Sequence, residues 1–123
     1  MIFRRKSYPY PKVRYRDRDY YVINITKLNE LIGENVKVEG YIKDKVKMIT
    51  HKAGLPWSLE SRVIEKDHYH TTYFNLEGGV VVEFRGIALL RSNEHVVIYG
   101  KVVGRNTIEA HAIETENAIY VFE

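Results

Sequence analysis

After Gly33 the chain takes up a period of two. Val36, Val38, Gly40 and Ile42 alternate with Lys37, Glu39, Tyr41 and Lys43. Successive side chains of a strand point to opposite faces, so this spacing describes a sheet with one buried face. The pattern continues less regularly through Val46, Met48 and Ile49, and Gly40 stands where a strongly coiled barrel strand would bend. Four more strand-like runs follow: 70–76, 80–85, 96–103 and 107–113. Residues 50–67, with Gly54 and Pro56, read as a long loop. Glu77-Gly78-Gly79 and Gly104-Arg105-Asn106 read as tight turns, and 86–94 as a connection. Five strands with a long loop after the first and short turns later predict a small closed barrel.

Upstream, Val22-Ile23-Asn24-Ile25 leads into Thr26–Gly33, which reads as a single helical turn. Thr26 is the expected N-cap, Leu28, Leu31 and Ile32 the buried face, and Gly33 the stop. Residues 1–21 show neither period, and Pro9 and Pro11 push Tyr8 and Tyr10 toward extended conformations. The expected division is therefore a basic aromatic arm (1–21), a barrel (22–115) and a C-terminal tail or extra strand (116–123). Since every barrel strand lies beyond residue 21, removing residues 1–19 is expected to leave the core intact.

Three segments carry a family resemblance. Leu31-Ile32-Gly33-Glu34-Asn35-Val36-Lys37-Val38-Glu39-Gly40, then His95-Val96-Val97-Ile98-Tyr99-Gly100-Lys101-Val102, then Thr107-Ile108-Glu109-Ala110 together resemble oligonucleotide/oligosaccharide-binding (OB) domains of the replication protein A and tRNA-anticodon-binding kind. The resemblance covers about residues 25–115. It implies an all-β fold: a closed five-stranded OB-type Greek-key barrel with one short helical turn and an extended N-terminal arm. It also implies a nucleic-acid surface on the second and third strands, flanked by the loops between strands one and two and strands four and five.

Charge is unevenly distributed. The net charge is +3, but residues 1–21 alone hold seven Lys/Arg against two Asp, while 67–123 sum to −4. Arg4, Arg5, Lys6, Lys12, Arg14 and Arg16 interleave with Tyr8, Tyr10 and Tyr15. Such alternation can pair phosphates and stack bases without reading sequence. The same composition also suits an ordered extension whose tyrosines pack on the barrel or on a second subunit. Lys43, Lys45 and Lys47 alternate along the first strand, so a regular strand would present all three on one side, as a phosphate-tracking stripe or as a solvated face. Lys52, Arg62 and Trp57 occupy the loop region, where Trp57 either reaches a partner or closes the barrel. On the second strand Tyr69 and Tyr73 are expected to face outward, beside Arg85 on the third; Arg105 lies in the last turn. Glu83 shares that face and opposes a phosphate.

Other classes find less support. There is no cysteine, so neither disulfides nor thiolate metal sites are available, which suits an intracellular, cytoplasmic protein. No run approaches the ~18 apolar residues of a membrane span, and Met1–Lys6 has no apolar run behind it as a secretory signal would. The absence of glutamine beside abundant Lys, Glu and Arg hints at a thermophilic source. Of five histidines, His68 and His70 share a strand face, but no carboxylate cluster completes a metal set. No phosphate loop, nucleophile elbow or spaced acid pair is present, so neither an enzyme, a cofactor nor a small-molecule substrate is expected. The sequence thus predicts a non-enzymatic module for single-stranded DNA or RNA. The alternative is a structural or adaptor subunit that binds a protein partner or its own copy through barrel, arm and tail.

Overall fold

A computed structural model describes residues 8–52 and 68–122. It contains eight strands: β1 (Lys12–Tyr15), β2 (Arg18–Val22), β3 (Asn35–Lys52), β4 (His68–Leu76), β5 (Val80–Arg85), β6 (His95–Gly104), β7 (Thr107–Glu114) and β8 (Ile119–Val121), with a 3₁₀ helix at Ile25–Leu31 between β2 and β3.

Five of these strands close a barrel in the order β3-β4-β5-β7-β6, and β6 pairs back onto β3. The β5–β7 pairing is parallel, while β3–β4, β4–β5, β6–β7 and β3–β6 are antiparallel. This closed strand order, with its single parallel junction, is the OB topology, and the fold is an all-β OB-type barrel. The long β3 makes closure possible. Its first half, Asn35–Tyr41, pairs with β6, and from Ile42 onward it pairs with β4. One coiled strand therefore serves both sides of the seam.

The period-two pattern becomes the core. Val36, Val38, Ile42, Phe74, Leu76, Val80, Val82 and Phe84 are all buried, as are Val96, Ile98, Val102 and Ile108. At the switch in β3, a Cβ on Gly40 would stand 3.8 Å from Leu76, an ordinary contact. Space demands glycine instead at Gly100, where β6 and β7 slip register. A Cβ there would collide with the Glu109 carbonyl oxygen and lie 2.8 Å from Ile108 and 2.9 Å from the Ala110 backbone. The Gly78-Gly79 turn uses positive φ (99° and 83°), as its composition predicts.

The helical segment departs from expectation. Asn24, not Thr26, caps it: the Asn24 side chain accepts from the Thr26 backbone N–H at 2.9 Å. The helix is 3₁₀, with three residues per turn, so Leu28 and Leu31 align on the core; Ile32 is its C-cap, with extended backbone, and is 50% exposed.

The arm departs further. Its described part is a β-hairpin, β1 against β2, with Arg16 and Asp17 at φ 47° and 71° in the two-residue turn. Beyond the turn, β2 runs parallel to β3 (Tyr21 opposite Val36), and Tyr20 and Tyr21 are buried. Tyr21 joins the barrel core. Tyr20 forms a second, smaller core with Tyr99 and Ala112, packed by Val13, Tyr15, Val97 and Val121. Residues 1–19, expected to lie outside the core, thus contribute Val13 and Tyr15 to the small outer core, where β1 and the start of β2 cover the outer side of β6 and β7. At the other end the tail forms an added strand: β8 pairs antiparallel with β7.

Candidate nucleic-acid interface

The outer face of the sheet is set by register. Lys47 stands opposite Tyr73, Tyr73 opposite Glu83, and Glu83 opposite Glu109. One pair further along come Lys43, Asn75, Val81 and Thr107. Their neighbours in sequence, Thr72, Phe74, Leu76, Val82 and Phe84, point inward and are buried, so the barrel core holds this face rigid. Buried Thr72 is satisfied within the fold: its hydroxyl donates to the Gly86 carbonyl (2.7 Å) and accepts from the Ala88 N–H (3.2 Å).

Tyr73 is the half-exposed ridge of this face, and a concavity lies on each side of it. On one side Lys45, Lys47, Ile49, Asn75 and Val81 line a depression of about 300 Å³. On the other, His70, Thr71, Glu83, Arg85, Gly86 and Phe122 line one of about 420 Å³. An aromatic ring flanked by cations supplies both elements that a single strand needs: a surface for base stacking and charge for its phosphates.

The lysines do not form an evenly spaced stripe. Between Lys43 and Lys47 the chain bulges: β3 advances four residues while β4 advances two, from Asn75 to Tyr73. Asp44 sits in the bulge at φ 67°, and its carbonyl accepts from the Ser92 hydroxyl at 2.5 Å. The bulge turns Lys45 and Lys47 toward the depression beside Tyr73. Lys43 stands one pair away, opposite Asn75.

The arm residues have structural partners. Tyr8 packs edge-on against Tyr21, with centroids 5.4 Å apart. Tyr10 donates its hydroxyl proton to Glu30 at 2.8 Å, and that bond raises its pKa. Lys12 lies 4.9 Å from the centre of the Tyr21 ring, and Arg14 pairs with Asp19 at 3.3 Å. Arg16 is in the hairpin turn, and Arg105 in the β6–β7 turn beside Asn106, whose backbone N–H donates to Asn29. Arg4, Arg5, Lys6, Trp57 and Arg62 lie outside the described residues. Lys52 and Tyr69 belong to the paired ends of β3 and β4, and their side chains are not described.

A third concavity went unnoticed in the sequence. Tyr15, Arg16, Arg18, Tyr20, His111 and Phe122 line a small polar pocket of about 130 Å³ between the hairpin, β7 and β8. The Arg18 guanidinium lies 3.1 Å from His111 Nε2 and 3.2 Å from Nδ1, and the Tyr20 hydroxyl is 2.9 Å from Nδ1. Burial and then the Arg18 charge lower the His111 pKa, which favours the neutral ring. Burial raises the Tyr20 pKa. Tyr15 stacks on Tyr99 with ring centres 4.0 Å apart. The contacts to His111 span more than ninety residues, but the alternation of β7 does place His111 on the same face as Glu109. Among the described residues no group of three or more His, Asp or Glu is placed to hold a metal ion.

No family model and no curated protein matches the sequence. Two solved structures are similar in shape. One is the crystal structure of the telomere capping protein Ten1 from Saccharomyces pombe (13% identity, 76% of this chain and 78% of that chain, TM-score 0.43). The other is that of the S. pombe Stn1-Ten1 complex (12% identity, 77% and 74%, TM-score 0.45). Strand order and closure define the fold.

Proposed function

We propose that this barrel is a non-enzymatic module that binds single-stranded nucleic acid across the outer face of β4 and β5. The observation that carries the reading is Tyr73, a ring held on a rigid strand between the Lys45/Lys47 depression and the His70/Arg85 depression. A strand crossing this face would stack a base on Tyr73 and lay its phosphates toward Lys45, Lys47 and Arg85. Glu83 and Glu109 sit in the same row as Tyr73, so the cations and the acids together fix where the backbone passes.

Fluorescence anisotropy of labelled DNA and RNA oligonucleotides across a salt series tests this. Three phosphate contacts predict a slope of about −2 in log K against log salt, at ~0.7 per contact on a single strand. Tyr73→Ala is expected to weaken binding roughly 5- to 150-fold, matching ~1–3 kcal/mol of stacking. Binding that ignores both salt and Tyr73 would refute the reading.

An adaptor role is the competing reading. Leu89, 74% exposed, and Ile119 bring apolar surface to two segments that the Tyr120 hydroxyl, donating to the Leu89 carbonyl at 3.3 Å, ties together. Light scattering of the pure protein distinguishes the two: a stable oligomer that Leu89→Ser dissociates, without oligonucleotide binding, would favour the adaptor.

A further inference from the structure

The pocket between the hairpin, β7 and β8 has a chemistry that packing alone does not require. Its wall carries two guanidinium-bearing side chains, Arg16 and Arg18, together with the phenols of Tyr15 and Tyr20 and the His111 imidazole. Phe122 is shared by this pocket and by the depression that Arg85 and Tyr73 line, so the two concavities adjoin. The Phe122 backbone N–H donates to the His111 carbonyl at 2.8 Å, which fixes that shared wall. We propose that the Arg18–His111–Tyr20 pocket is a phosphate-binding subsite, continuous with the β4–β5 face, that holds one phosphate group of the bound strand. This rests on the reading of that face as the path of a strand.

The recognition follows from the donors. Arg18 already lies within hydrogen-bond distance of both His111 nitrogens, and a neutral imidazole offers it one acceptor. A phosphate oxygen entering the pocket competes for the Arg18 N–H groups with full negative charge, which makes a stronger bond than a neutral ring nitrogen does. His111 then has an anion beside it in place of a bare cation, and its second nitrogen can take up a proton and donate. The groups that face His111 are Arg18 and Tyr20 from β2, Glu109 from β7 and Lys101 from β6. Arg16 and Tyr15 complete the pocket from β1 and the turn. Glu109 favours protonation of the ring, and Lys101 and Arg18 oppose it, so an added anion tips the balance toward the charged form.

Imidazole NMR of His111 during titration with inorganic phosphate, and separately with sulfate, tests the pocket without any nucleic acid. The expected result is a saturable shift of the His111 nitrogens and a rise in its pKa. Sulfate stays dianionic across the range, so its affinity should increase as pH falls through the His111 titration. Arg18→Gln is expected to weaken phosphate about tenfold or more, with Arg18→Lys recovering part of the loss. Melting curves establish that each variant is folded, and the wild-type titration stands even where a variant is not. Oligonucleotides with and without a 5′ phosphate identify the source. A preference for the phosphorylated strand that Arg18→Gln abolishes indicates a terminal phosphate. A salt slope reduced by about 0.7 in Arg18→Gln, with no such preference, indicates an internal one. Either supports the subsite. No His111 response at saturating phosphate overturns the proposal, as does oligonucleotide binding unaffected by Arg18→Gln. Phosphate binding in a protein that binds no oligonucleotide would instead overturn the strand-binding reading of the β4–β5 face.

Discussion

Replacing Tyr20 by alanine tests whether the N-terminal hairpin belongs to the folding unit. Tyr20 is 2% exposed and central to the small outer core. Its ring meets Tyr99 edge-on at 5.4 Å and Tyr15 at 6.5 Å, and its hydroxyl bonds His111. Truncating a buried aromatic ring costs ~3–5 kcal/mol through lost transfer energy and the cavity left behind. Losing the bond to His111 adds ~0.5–1.5 kcal/mol. The hairpin is held on one side by only two register pairs to β3, so part of this cost will be relieved by local fraying. A net loss of ~3 kcal/mol is expected. At ~2.1 cal/mol/K per residue, a chain of this length unfolds with an entropy of about 0.26 kcal/mol/K, so the midpoint should fall by about 12 °C. Tyr20→Phe, which keeps the ring, should lose no more than about 6 °C. Differential scanning calorimetry reads both. A fall under about 3 °C for Tyr20→Ala, with the transition still cooperative, would show that the hairpin lies passively on the barrel.

Gly100→Ala should be among the most damaging single-methyl additions, since the Glu109 backbone blocks the new Cβ; a loss of ~1–3 kcal/mol is expected in urea denaturation. Asn24→Ala removes the 3₁₀ cap and should cost ~0.5–2 kcal/mol, whereas Thr26→Val, at the residue that the sequence nominates as cap, should cost less. The depressed His111 pKa sets a pH dependence. The unfolded chain binds the proton more readily, so stability is full above the ordinary histidine value of ~6.5 and falls as pH drops through the folded pKa. His111→Gln should flatten this dependence of the melting temperature below neutral pH; an unchanged slope would remove His111 as its source.

The barrel was legible because burial on one face writes period two into the sequence, as the start of β3 and all of β5 show, although β6 and β7 interrupt it at Tyr99-Gly100 and Ala112-Ile113. What was not legible had local causes. The helix ends at Leu31, and Ile32, its extended C-cap, turns to solvent instead of continuing the buried face. The hairpin went unread because its turn, Arg16-Asp17, reaches positive φ without glycine or asparagine, and because Pro9 and Pro11 argued for an extended arm. The bulge at Asp44 is invisible to periodicity: Lys43, Lys45 and Lys47 alternate in sequence whether or not the strand does. On the candidate interface, the placement of Tyr73 and Arg85 followed from alternation. The Arg18–His111 contact joins strands at opposite ends of the chain, which only the closed sheet brings together.

The proposed interface places a base on the Tyr73 ring. Photo-crosslinking an oligonucleotide that carries a single 5-iodouracil, followed by mass spectrometry of the digested protein, tests it most directly, because the reaction favours an aromatic ring in contact with the base. The principal adduct is expected on Tyr73, lost in Tyr73→Ala and reduced as salt is raised. Adducts confined to Tyr8, Tyr10 or Trp57, with Tyr73 unmodified, would contradict it and move the binding surface to the arm or the β3–β4 loop.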